Sequence, residues 1–597
     1  MIAQRRRANL RTLLVVACLL VFGASSQAAT IIWDNHGGDS LLANPLNWIG
    51  DIAPTADDDV IFNSIGGTTL KVTGEMSFHN MTFDGDASAF TFVDDGGGTG
   101  KLVLNAGTGT TNTMNNSPNS QTFNLPTAVG RQNLVAAGGD FVFNAPLDIG
   151  NGRLTLAFIT MLGDHDFHVN QGLVGIQAPI LLKDGIGTLH LKGGPEEWPG
   201  LFTIQNGFVE VSNNTGLTHP DGWTNPWGVP GSTGAIVLTN NITLDTFVYM
   251  GTREVDDKPQ LINKSGTNTM TNTLAAFVDD AANLNVAIQS DAGLLKITGN
   301  VTQPNLGAFA LTLRGAGNGD ISGAIAEGDS SSTWSLSKKD AGTWTISGAN
   351  VYTGTTTVSG GTLLVNSTAG TGLTTVETGG TLGGTGTVPA EVVVNEGGTL
   401  APGASIGTLA VTGAVTINGK LAVEGSGASI DKLAVTNSLT LSATSVLDVL
   451  GTLNGATTYV IATYNAGGLT GTFGNALAAT SKGYNVVYEN SQIVLDELDG
   501  DANRDGVVNI FDINLVSSNW NPTGPVNAFA PGNVNHDLVV NIFDINSISS
   551  NWNHTATNGG PAHAQAVPEP TTFGLLALGS ALIAARVFSS RRQRTGR

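Results

Sequence analysis

The chain has 597 residues, and its 47 acids outnumber its 26 Lys and Arg for a formal net charge of −21. Such a field repels phosphate backbones and excludes nucleic acid as a partner, while divalent cations and neutral or basic polymers remain compatible with it. Only 12% of residues are charged and 79 are Gly, a composition that predicts many short strands joined by tight turns and few long helices.

The opening "MIAQRRRANLRTLLVVACLLVFGASSQAAT" places Arg5, Arg6, Arg7 and Arg11 before an apolar run and then small residues. This order predicts a secretory signal peptide over 1–29, cleaved after Ala28 or Ala29. Cys18, the single cysteine, falls inside it. The exported chain therefore has no disulfide and no thiol chemistry. Residues 30–75 read as an N-terminal cap in which Trp33, Trp48 and the strand Val60-Ile61-Phe62 cover the first coil of a repeating domain. The Asp57-Asp58-Asp59 run is expected as an exposed turn of that cap.

Residues 76–440 carry a repeated strand grammar. "GGTLLVN", "GGTLGGTG" and "GGTLAPG" open at Gly360, Gly379 and Gly397, a period near 20 that signals a solenoid whose coils bury their faces only against neighbours. Each Gly-Gly should supply a turn with φ > 0, and the Thr-Leu after it should begin a strand. A longer phrase, "LSKKDAGTWTISGANVYTGTTTVSGGTLLVN" (336–366), aligns with "LLKDGIGTLHLKGGPEEWPGLFTIQNGFVEVSN" (181–213). The alignment matches Lys338 with Lys183, Gly342-Thr343 with Gly187-Thr188 and Gly348 with Gly193. This phrase resembles the autotransporter-associated β-strand repeat of bacterial surface proteins. The resemblance implies a mainly β fold, a right-handed parallel β-helix-like solenoid.

Such solenoids also carry polysaccharide lyases and hydrolases, so their acids are candidates for catalysis. Asp164, Asp166 and His168 alternate and should share one strand face, where a polar outer surface is the simpler reading than an acid/base pair or metal site. Glu196-Glu197 lies in a Pro/Gly/Trp loop as solvated acids. Arg253, Glu254, Asp256, Asp257 and Lys258 form the densest charged cluster, with no second cluster spaced to converge on it. No phosphate loop or His/Cys zinc pattern is present, and no catalytic residue is assigned. Residues 441–498 read as closing β-hairpins.

The sequence then writes one phrase twice, "DANRDGVVNIFDINLVSSNWN" and "NVNHDLVVNIFDINSISSNWN". From Asp501, oxygen side chains fall at positions 1, 3, 5, 9 and 12 (Asp501, Asn503, Asp505, Asn509, Asp512), with Gly506 at position 6. That is the spacing of a twelve-residue calcium loop, in which position 7, Val507, offers its carbonyl. The second copy aligns at Asn533, Asn535, Asp537, Val539, Asn541 and Asp544. There Asn533 replaces the leading Asp, and Leu538 replaces the Gly. Three carboxylates become two, and Leu538 must take a left-handed conformation or open the loop, so weaker Ca²⁺ binding is expected in the second copy. Ile510, Ile513 and Val516 recur at helical spacing. Two loop–helix units over 499–554 resemble a type I dockerin, which implies an antiparallel helical pair and a cohesin-like partner. Positions 10 and 11, which help choose the partner in that family, are Ile510-Phe511 and Ile542-Phe543 here; Phe511 and Phe543 could equally be internal packing.

A linker over 555–566 leads to "VPEPTTFGLLALGSALIAARVFSSRRQRTGR". Val567-Pro568-Glu569-Pro570, the uncharged run Thr571–Ala585 and the basic cluster Arg591, Arg592 and Arg594 resemble the PEP-CTERM sorting signal over 567–597. The resemblance implies transient membrane association and cleavage by an exosortase-type protease. At about 1.5 Å per residue the run is shorter than a hydrocarbon core of about 30 Å. Residues 30–566 keep 17 basic and 46 acidic groups. The sequence thus predicts a secreted structural or adhesive protein at the surface or in the matrix of a bacterium with an outer membrane. The alternative is a dockerin-bearing polysaccharide-degrading enzyme, and extracellular polysaccharide is a candidate partner under either reading.

Overall fold

The structure is a computed structural model that describes residues 29–557, except 65–66, 105–110, 151–157, 176–179, 194–200, 218–222, 227–231, 252–257, 278–284, 304–306, 329–331 and 475–482. The signal peptide, Cys18, Glu196-Glu197, Arg253, Glu254, Asp256, Asp257 and the sorting tail lie outside the described residues. The chain forms two compact units that divide near Leu189. Each is a parallel β-solenoid.

In the first unit, strands of three to six residues stack into parallel ladders. One ladder runs through Thr30–Ile32, Asp59–Phe62, Asn80–Phe83, Thr111–Asn115, Gln132–Ala136 and Phe158–Gly163. Burial alternates along the strands, as it must where one face points into a coil and the other outward. A second ladder brings Phe92, Phe123 and Phe143 to one register position on successive coils. Their rings stack at 4.9 Å, nearly parallel, and Phe141 stacks on Phe167 in the same way at 5.7 Å. Each ring excludes water from the next, and offset pairs of this kind add about 0.5–1.5 kcal/mol beyond their buried area. At the corner beyond these strands an amide ladder forms: Asn170 Nδ2 donates to Asn144 Oδ1 at 2.6 Å, and Asn144 Nδ2 to Asn124 Oδ1 at 2.8 Å. The Asn-rich composition is used to satisfy exposed coil corners.

Trp33 and Trp48 are fully buried, packed edge to face at 5.1 Å, with Trp48 Nε1 donating to the Leu42 carbonyl at 2.8 Å. Strand Thr30–Ile32 already pairs in parallel with Asp59–Phe62, so the solenoid ladder begins at the start of the segment read as a cap. One expectation is corrected here. Asp59 is not part of an exposed turn. It opens a strand and accepts from Asn80 Nδ2 at 2.7 Å, with His79 Nδ1 at 2.8 Å, because the register places both residues on the adjacent coil. Asp58 does occupy the turn, where it accepts from the Thr55 amide and hydroxyl. Burial alone would raise its pKa, but these bonds outweigh it and hold the value below the ordinary one.

In the second unit the GGTL period becomes a register. Thr362, Thr381 and Thr399 pair in line with Thr343, and Leu363, Leu382, Leu400 and Leu421 form a fully buried column behind them. Gly361, Gly379 and Gly397 have φ of +59°, +84° and +79°, the left-handed corners predicted for the Gly-Gly pairs, although the first falls on the second Gly of its pair.

The aligned lysines explain the longer phrase. Lys338 is fully buried, and its three ammonium protons meet three carbonyls, those of Lys339, Asp340 and Gly360, at 2.5, 2.7 and 2.9 Å. Lys183 does the same with the carbonyls of Asp184 and Gly185 at 3.0 and 2.9 Å. Each closes a coil corner by donating to main-chain carbonyls of the turn. The matched glycines are equally local in purpose. A Cβ on Gly342 would sit 2.0 Å from the Gly317 oxygen, and one on Gly187 2.0 Å from the His165 oxygen, so at both positions the preceding coil leaves room for hydrogen alone.

The solenoid ends in antiparallel structure. Thr458–Thr463 and Tyr484–Tyr488 flank Gln492–Glu497 in reversed register, and the long strands Lys420–Gly427 and Val446–Leu453 still pair in parallel before them.

Candidate metal centre

Two short helices come next in the chain, α1 (Ile510–Ser518) and α2 (Ile542–Ser550). Val516, Ile545 and Ile548 from the helices join Val508, Val540 and Leu498 in one small core, with Ile513 packed against it. Of the helical spacing read from the sequence, Ile513 and Val516 lie on the packed face, whereas Ile510 is exposed. Each helix is started by the loop before it. Asn509 accepts from Phe511 N at 2.8 Å while Asp512 accepts from Asn509 N at 2.7 Å, and Asn541 and Asp544 repeat the arrangement. This reciprocal capping box satisfies orphan amides at the helix start.

The first loop brings its oxygen residues together. Asp501, 3% exposed, accepts from the amides of Asp505 at 3.1 Å and Gly506 at 2.8 Å. Asn503 Nδ2 lies 3.0 Å from Asp505 Oδ2, and fully buried Asp512 also accepts from the Asn503 amide at 3.0 Å. The Val507 carbonyl accepts from Asn509 Nδ2 at 3.1 Å. Burial, with the nearby carboxylates of Asp512 and Asp505, pushes the Asp501 pKa up to about 7, despite two amide bonds that favour its charged form. Burial also raises Asp512. Two buried carboxylates, Asp501 and Asp512, crowded beside the exposed one of Asp505 are a strained set unless a cation shares them.

The second loop repeats the geometry with its substitutions. Leu538 has φ of +75° where Gly506 has +89°. The leucine accepts the left-handed conformation and the loop keeps its curl; of the two outcomes the sequence allowed, this one carries backbone strain of about 1 kcal/mol. Asn535 Nδ2 lies 3.0 Å from Asp537 Oδ2, Asp537 accepts from Val539 N at 3.0 Å, and buried Asp544 accepts from Val534 N at 2.8 Å. Asn533, 3% exposed, donates to the Asn527 carbonyl, and its Oδ1 has no hydrogen-bond partner. A buried oxygen without a donor is costly to keep. Both loops offer hard oxygen donors in the pattern an alkaline-earth cation takes, so the residues present fit Ca²⁺. If bound there, the ion would be held by Asp501, Asn503, Asp505, the Val507 carbonyl, Asn509 and Asp512, and by the corresponding six residues of the second loop.

Phe511 and Phe543 are 64% and 63% exposed, which corrects internal packing as their role. As the second residue of its helix, each sits on the turn that faces away from the shared core. Elsewhere, Asp164, Asp166 and His168 do not share one strand face, although ligand atoms of Asp166 and His168 lie within 4.8 Å of each other. Asp164 and Asp166 lie in the bend after Gly163 (φ +115°), and only His168 is on the strand Phe167–Val169. The alternation is therefore not one strand face. Asp166 accepts from the Thr188 amide at 2.6 Å, a corner-closing bond, and His168 Nε2 lies 3.6 Å from Asp140. Lys258 is exposed.

Comparison with known proteins bears on the solenoid and the tail. Residues 336–365, the segment that holds Lys338 and Gly342, match the Passenger-associated-transport-repeat. The solenoid thus contains an autotransporter-type repeat. Residues 566–592 match the PEP-CTERM protein-sorting motif. Over 71 residues the chain is 46% identical to the "Adhesin BmaC autotransporter" of Brucella suis biovar 1 (strain 1330). That stretch is 12% of this chain and 2% of that protein, so the chain spans only a small part of the relative's length.

Proposed function

We propose that this is a secreted, surface- or matrix-associated structural or adhesive protein. In this reading the coils present their outward strand faces as the surface that makes contact, and residues 499–554 form a calcium-dependent docking module. The observation that carries the first part is the autotransporter-type repeat, whose buried lysine and crowded glycines maintain coil geometry and perform no chemistry. Similarity to an adhesin passenger supports the same reading. Among the described residues, Asp58 accepts in a turn and Asp166 closes a corner, roles unlike a pair set across a groove as sugar hydrolysis requires. The paired loops support calcium, and the exposed Ile510, Phe511, Ile542 and Phe543 support recognition of a cohesin-like protein surface. The PEP-CTERM motif is consistent with processing by an exosortase-type protease.

Two results are expected. Mass spectrometry of protein recovered from the native host should find the segment after Pro570 missing from most molecules; an intact tail on most of them would contradict processing. The purified chain with calcium should release no reducing ends or unsaturated products from neutral or acidic polysaccharides. Turnover abolished by Asp164→Asn or Asp257→Asn would replace this reading with that of a polysaccharide-degrading enzyme.

A further inference from the structure

We infer that the two-loop module is the C-terminal cap of the solenoid, locked to its last strand by Glu497, and that ion uptake in the loops is transmitted to that strand. The second clause rests on the calcium reading of the loops; the first does not.

Glu497 ends the strand Gln492–Glu497, and its carboxylate is 12% exposed. One oxygen pairs with Arg504 Nη2 at 3.0 Å and the other with His536 Nε2 at 3.0 Å. Arg504 and His536 are the fourth residues of the two loops, and both hold the left-handed conformation, at φ of +59° and +58°. A single acid of the solenoid thus grips the same point of both loops. Arg504 also donates through Nη1 to the carbonyl of Leu453, which ends a solenoid strand, and lies 5.9 Å over the Tyr484 ring. His536 Nδ1 reaches the Ala528 carbonyl at 2.7 Å.

Three further contacts join the same parts. Leu498, directly after the strand, belongs to the core shared by the helices. Gly483 approaches so closely that a Cβ there would lie 2.8 Å from an Asp501 carboxylate oxygen and 3.0 Å from Arg504 Cα. After α2 the chain returns to the hairpin, where the Thr557 carbonyl accepts from Val486 N at 2.9 Å and Thr557 N donates to Asn485 Oδ1 at 2.9 Å. Residues 555–557, read from the sequence as linker, are part of this seam.

A solenoid end exposes unpaired strand and apolar coil, and it is stable only when covered. The module supplies that cover. Because the grip falls between candidate ligands at positions 3 and 5 of each loop, ordering the loop also orders the grip.

The test is hydrogen exchange of the full chain over residues 484–498, with calcium and with chelator, for the parent, Glu497→Gln and Arg504→Ala, with ion uptake followed by titration. Calcium should slow exchange in this hairpin at least tenfold in the parent and less than threefold in Glu497→Gln, while both proteins take up the ion. Uptake with no change in the parent hairpin, or equal slowing in parent and Glu497→Gln, overturns the transmission. If the parent takes up no calcium, the calcium reading fails. The cap is then judged without the ion: Glu497→Gln and Arg504→Ala should each speed hairpin exchange about tenfold, and unchanged exchange in both overturns it.

Discussion

Replacing Lys338 by Met should destabilise the coils around residues 336–365 by about 2–4 kcal/mol at pH 7. The side chain is fully buried, and its ammonium saturates the carbonyls of Lys339, Asp340 and Gly360. Methionine fills the space but donates nothing, so three part-buried carbonyls lose their donor at about 1 kcal/mol or more each, partly offset because no charge is then buried. Burial lowers the Lys338 pKa to about 8, with the Asp340 carboxylate opposing. A lysine held below its unfolded value favours the folded state increasingly as pH rises from about 8 toward 10.5, where the folded form has released a proton that the unfolded form retains. The parent should therefore gain on the variant over that window and show no such trend below it. Because neighbouring coils couple only locally, the readout is hydrogen exchange within 336–365, together with the lowest-temperature melting transition. Equal exchange in the two proteins at pH 7 would contradict the role assigned to Lys338.

Asp501→Ala should remove most of the calcium-dependent rise in melting temperature, and Asp537→Ala noticeably less. An ion that binds only the folded form stabilises it by about 2.7 kcal/mol at a hundredfold excess over its dissociation constant. The first loop offers three carboxylates on a glycine corner, while the second offers two on a left-handed leucine, so most of the effect belongs to the first. The core of the module includes Leu498 and its last residues bond to Asn485 and Val486, so the melts should use the full chain. Equal losses from both substitutions would contradict the asymmetry.

Much of the fold was legible because a solenoid writes its register into the chain. Gly-Gly corners recur where every coil must turn, so the GGTL spacing gave the ladder Thr362, Thr381 and Thr399 directly. The alignment of Lys338 with Lys183 was equally visible, but its meaning was not. The partners are main-chain carbonyls, one of them 22 residues away, and a carbonyl leaves no mark in composition. The alternation at Asp164, Asp166 and His168 misled because Gly163 breaks the strand before it, so period two ran through a bend. Positions 1, 3, 5, 9 and 12 of each loop were readable from side-chain type alone. The role of position 4 was not, since Arg504 and His536 act through Glu497, an ordinary acid in sequence.

The most direct measurement is calorimetric titration of calcium into the chelator-treated full chain. The account predicts saturable binding at two unequal sites, with the tighter one abolished by Asp501→Ala and the weaker one by Asp537→Ala. Absence of saturable binding would contradict it and leave residues 499–554 as a purely packed cap.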